Sequence, residues 1–170
     1  MLRLLCNCIA AVLLPAGALA GNLSAGAAGV HDGKTMTLKP DSFFSSLRRP
    51  ASPNHWLVAP ADFAVRPDAA APVFAVPASV LRQTLKTVML RAQGTAVAAE
   101  SADSLHVVVT TPVFRFRDDV RVQFIPVAPQ QSSFALYSAS RIGYWDLGAN
   151  RRRLEDWVEQ TRHALESRNR

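Results

Sequence analysis

Between Val113 and Pro126 the chain reads VFRFRDDVRVQFIP. Side chains alternate across a strand. By parity Phe114, Phe116, Val120, Val122 and Phe124 then share one face, and Arg115, Arg117, Asp119, Arg121 and Gln123 share the other. The pattern predicts a strand with one buried face, and with it a sheet that another layer must cover. It also sets Asp118 on the apolar face, where a carboxylate needs a partner. Strands usually run about five or six residues, so a kink is expected at Asp118-Asp119.

The flanking segments supply the other layer. LHVVVTT at Leu105–Thr111 is rich in strand formers. PVAPQQSS predicts a turn and FALYSAS a returning strand, while HWLVAP and PVFAV are short strand candidates. A first helix opens on Pro77, Ala78 and Ser79, since proline suits a first helical turn. Val80, Leu81, Leu85, Val88 and Met89 recur at helical spacing, with Arg82, Gln83 and Lys86 opposite and Gly94 as a stop. A last helix follows GYWDLGAN, with Leu147, Leu154, Trp157, Val158, Thr161 and Leu165 on one stripe and Asp146 or Asn150 as N-cap. No internal repeat is present. The expected fold is α+β: a single antiparallel β-sheet packed by two main helices, within one domain over residues 41–170.

Residues 1–20, MLRLLCNCIAAVLLPAGALA, have the form of a secretory signal peptide. Arg3 precedes an apolar run that closes on Ala18-Leu19-Ala20, which predicts cleavage after Ala20 and export to the periplasm or cell envelope. The alternative is an uncleaved N-terminal anchor, although the run is short against the roughly 20 apolar residues of a membrane span. Cys6 and Cys8 are the only cysteines and lie too early for lipid attachment at a cleavage point. Their loss with the leader leaves no disulfide, cysteine nucleophile or thiolate metal site. Residues 21–40 are small and polar at first and predict a flexible linker. His31, His55, His106 and His163 lack metal-type spacing, and no metal or cofactor is expected. The net charge of +6 comes mostly from arginine and permits anionic partners. Export, and the want of any nucleic-acid-binding pattern, argue against nucleic acid.

YSASRIGYWDLGANRRRLEDW at Tyr137–Trp157 is the densest motif. With FRFRDDVRVQF it resembles the bacterial and plastid family known as domain of unknown function 1499. Members of that family look like F-x-D-D-V-E-F followed by R-S-A-S-R-x-G-x-x-D-x-G-x-N-R-x-R-x-E. Asp118, Asp119 and Val120 match the first element. Ser138, Ala139, Ser140, Arg141, Gly143, Asp146, Gly148, Asn150, Arg151, Arg153 and Glu155 match the second. The chain departs at Pro53-Asn54-His55, where the family usually has Pro-Asn-Cys, at Tyr137, often arginine, and at Arg121, where an acid is common. The resemblance implies a fold and an envelope location and no settled activity.

The candidate network is therefore Asp118, Asp119, Ser138, Ser140, Arg141, Asp146, Asn150, Arg151 and Arg153. Arginine forks bind carboxylate and phosphate, and a helix N-terminus offers free N–H groups. An anion site at the strand-to-helix loop is thus one expectation. The preferred one is that the arginines meet the aspartates of this same chain, with Asp118 held by Arg141 and Ser138 or Ser140 nearby. Ser138 and Ser140 lack the setting of a nucleophile elbow. Tyr144 and Trp145 are expected to pack as lids, or else to form an aromatic patch. The sequence favours a non-enzymatic binding or interaction module whose partner is a small anion, an acidic lipid headgroup or an envelope protein. Its alternatives are a hydrolase-like enzyme using Asp118 or Asp119 with Ser140 and Arg141, and a purely structural motif with function on the irregular face of residues 54–72.

Overall fold

The structure, a computed structural model, describes residues 42–168; the predicted leader and linker lie outside the described residues. Among the described residues nine elements follow one another: α1 (Ser42–Ser45), β1 (His55–Ala59), β2 (Ala69–Ala70), α2 (Ala78–Arg91), β3 (Thr95–Glu100), β4 (Ser104–Thr110), β5 (Arg117–Ala128), β6 (Gln131–Ser140) and α3 (Ala149–Arg168). The strands form one sheet in the order β2-β1-β6-β5-β4-β3. Every pairing is antiparallel except the two-residue β1–β2 contact, which is parallel. This is the expected α+β class.

Alternation builds the main core. Leu105, Val107 and Val109 of β4, and Val120, Val122 and Phe124 of β5, are buried on one face. Leu81, Leu85, Val88 and Met89 of α2, and Leu154, Trp157 and Leu165 of α3, join them in one cluster. Close-packed apolar burial of this kind is the main favourable contribution to folding.

Four expectations give way to tertiary packing. Phe114 and Phe116 are not on the strand: β5 starts at Arg117, and both rings are exposed. A tight turn intervenes, closed by Thr111 N–H to Phe116 O at 2.9 Å and Phe116 N–H to Thr111 Oγ1 at 2.9 Å, with Arg115 at φ 54°. No kink occurs at Asp118-Asp119, which pair in continuous register with Ser140 and Ala139; the irregularity falls at Pro126/Ala128. PVAPQQSS is mostly strand, with only Pro129-Gln130 turning. PVFAV contributes one bridge, Phe74 to Ser132, rather than a strand.

Two features were not legible. β3, TAVAAE, is an edge strand with weak strand propensity, and its Glu100 is gripped by Arg82 at 2.8 Å and Lys86 at 2.5 Å from α2. The second face of the sheet is also covered. Phe44 of α1 packs with Leu57, Ala59, Ala135 and Tyr137, flanked by Phe43, Leu47 and Phe63. Gln123, expected outside, is consequently buried.

Candidate functional site

The matched residues gather where β5 begins, β6 ends and α3 begins. Three left-handed residues shape the connecting loop: Gly143 at φ 96°, Leu147 at φ 55° and Gly148 at φ 76°. Leu147 leaves the expected stripe and is exposed. Asp146 caps α3, its carboxylate accepting the N–H groups of Gly148 at 2.9 Å and Asn150 at 2.8 Å. An internal carboxylate thus stands where an external anion would meet the helix N-terminus.

Asn150 is the hub, and it is buried. Its Nδ2 lies 2.9 Å from Asn54 O, 3.0 Å from Ser140 Oγ and 2.7 Å from Asp146 Oδ2. Its Oδ1 accepts from the Ser138 hydroxyl and from Arg153 Nη1, the latter at 2.8 Å. Arg153 Nη2 then donates to Asp118 Oδ2 at 2.6 Å. This is a buried pair, with side chains 14% and 5% exposed. Asn54 closes the circuit by donating to Gly143 O at 2.5 Å and accepting Ser140 N–H at 3.0 Å. Five segments of the chain are tied by one polar network, and buried polar groups require this satisfaction.

Asp119 belongs to the opposite face. Arg141 donates to it from Nε at 2.7 Å and Nη2 at 2.8 Å, and His106 Nε2 donates at 2.7 Å. The Arg141 hydrogen bonds, aided by His106 and opposed by partial burial, hold the Asp119 carboxyl down to about 2. The same pairing raises Arg141 above its ordinary value.

The expected pairing of Asp118 with Arg141 is therefore corrected. Ser140 lies directly across from Asp118, so Arg141, one residue on, points with Asp119. Arg153 sits on the buried side of α3 because Asn150, Leu154 and Trp157 share its stripe. Arg151 stays outside the network, bonded to Glu155 at 2.8 Å with its guanidinium 5.0 Å from the Trp56 ring centre. The convergence that a hydrolase needs is not met: Arg141 and Asp119 face one side of the sheet, Asp118 and Ser140 the other, and Arg153 already binds Asp118.

Sequence reasoning read His106 as a satisfied or half-exposed strand residue, which its bond to Asp119 bears out, but set neither it nor Asn54 in the network. Asn54 could have been suspected from its place beside His55 in the departing Pro-Asn-His triplet. His106 could have been found by register, since it pairs across from Arg121, next to Asp119. His55 itself has a defined role: Nδ1 donates to Ser52 O at 2.8 Å and Nε2 accepts from Arg49 at 3.0 Å. Burial first, then the Arg49 charge, lowers its pKa. Tyr144 and Trp145 are not packing lids: they are 72% and 69% exposed.

No curated protein matches the chain. Among solved structures it is similar to TTHA0849 from Thermus thermophilus, known from its crystal structure, at 13% identity over 67% of this chain and 95% of that one, with a TM-score of 0.31. Residues 37–161 match the family described as "Protein of unknown function (DUF1499)", and the chain belongs to that family.

Proposed function

We propose that the protein is a non-enzymatic interaction module of the cell envelope, and that its motif is the scaffold for a presented loop rather than a reaction centre. One observation carries this reading. The polar groups of the motif are spent on one another beneath the loop, while Ile142, Tyr144, Trp145 and Leu147 point outward. An enzyme would leave some of those groups free toward a substrate; a recognition loop needs them for rigidity, since preorganisation lowers the ordering cost of binding. Arg153 and Arg141 would take an external acid only if it displaced Asp118 or Asp119.

Footprinting by carbene or hydroxyl-radical labelling tests the reading. In the presence of membrane and soluble fractions of its own cells, the protein should show protection at Tyr144 and Trp145. Protection confined to the groove lined by residues 72–76 with Arg162, Leu165 and Glu166 would place the binding surface elsewhere. Hydrolysis of model esters or phosphates that disappears in a folded Ser140→Ala variant would restore the enzyme reading.

A further inference from the structure

We propose that the paired tips formed by residues 111–117 and 141–152 dock on an anionic lipid bilayer. This rests on the interaction-module reading and names its partner class. The two tips share one end of the sheet, because Arg141 N–H bonds Arg117 O at 3.0 Å and Asp118 pairs with Ser140 just below. There the chain gathers exposed large apolar side chains: Phe114 at 74%, Phe116 at 46%, Ile142 at 67%, Tyr144, Trp145 and Leu147 at 66%. Phe114 and Phe116 stack on each other at 5.5 Å in the open instead of joining the core. Exposed apolar clusters of this kind mark interaction surfaces.

Charge decides the partner. Arg115, Arg117 and Arg152 are exposed on the same two segments. Residues 111–117 contain no acid, and residues 141–152 contain only Asp146, which is turned onto the α3 N–H groups. The neighbouring Asp118 and Asp119 are already held by Arg153 and Arg141. The outward field is therefore positive and apolar together. Tryptophan and tyrosine favour the bilayer interface, and arginines near it gain from acidic headgroups. Among the described residues no helix is long and apolar enough to cross a membrane, so the contact they make would be an insertion of side chains into the interface. The tips are stiff enough for this, fixed by the Thr111–Phe116 bonds and by Asn54 holding Gly143.

The test uses the full chain with vesicles of phosphatidylcholine alone or mixed with phosphatidylglycerol. Wild type should co-sediment with the mixed vesicles, less so as salt rises, and poorly with phosphatidylcholine alone. Tyr144→Ser/Trp145→Ser should abolish the binding, and Arg115→Gln and Arg117→Gln should each weaken it roughly fivefold. All variants keep the same N-terminal segment, so a difference between them reports the tips; unchanged melting temperatures show that each is folded. Trp145 emission should shift to the blue on binding, a change missing in Trp145→Phe. Absence of binding, equal binding to neutral vesicles, or binding that survives the tip substitutions would overturn the proposal. If vesicles fail while a soluble fraction protects Tyr144 and Trp145, the partner is a protein: the interaction module stands and the lipid inference falls.

Discussion

A single peptide bond separates Asp118, buried against Arg153, from Asp119, shared by Arg141 and His106 at a half-open site. Their costs on disruption should differ accordingly. Arg153→Ala leaves a buried carboxylate unpaired and is expected to lose about 3–5 kcal/mol in denaturant unfolding. Arg141→Ala breaks a solvent-screened pair and should lose far less. Equal losses would mean that the two faces had been assigned wrongly. Acid should expose the second pair. The Asp119 pKa is depressed in the fold, so its contribution is present above its ordinary value near 4 and is lost as pH falls toward about 2. Asp119→Asn should flatten the stability profile in that window. His55 is also depressed, so its contribution is present above about 6.5 and falls away as pH drops through its lowered folded value. Unfolding measured from pH 7 downward should show that slope in wild type and lose it in His55→Gln.

At the scale of elements, helix starts and hairpins depend on a few backbone positions. Asp146→Ala removes the α3 cap and should cost about 1 kcal/mol by thermal unfolding. Gly94 stands three residues beyond α2, with φ 80°, and a Cβ there would meet Thr110 O at 2.2 Å. Gly94→Ala should therefore cost more than about 1 kcal/mol, through strain and displacement of the β3–β4 hairpin; a neutral result would show that the hairpin shifts freely. The elements with a strong period were legible in the sequence: β4, the Val120–Phe124 face of β5, α2 and α3. Those defined by partners were not. Phe114 and Phe116 kept the strand parity, yet a turn at Thr111–Phe116 carried them off the sheet. β3 has no pattern of its own and exists because β4 offers it an edge and α2 offers Glu100 two cations.

For the whole molecule, the sequence pointed to one covered face and the fold covers two, with α1 and the 60–65 segment closing the second cluster. Export belongs to this scale as well. The apolar run of residues 1–20 carries our proposal that the chain reaches the envelope, and N-terminal sequencing of the protein recovered from its own cells should begin at Gly21. Recovery from Met1 in a membrane fraction would favour the uncleaved anchor. Neither outcome names the partner of the aromatic and arginine tips, which the vesicle experiment decides.

By itself the sequence determined the α+β class, the family pattern and the opposite faces of Asp118 and Asp119, because periods of 2 and 3.6 are local properties of the backbone. Only the tertiary structure decided which arginine meets which aspartate. That choice depends on how α3 settles against β6: Arg153 is brought over Asp118, Asn150 over Asn54 and Ser138, and Arg141 is left to Asp119 on the far side. It also decided that Tyr144 and Trp145 stay outside. The loop beneath them is held by polar bonds, with Asn54 fixing Gly143 and Asp146 capping α3, and so it stands without burying its own aromatics.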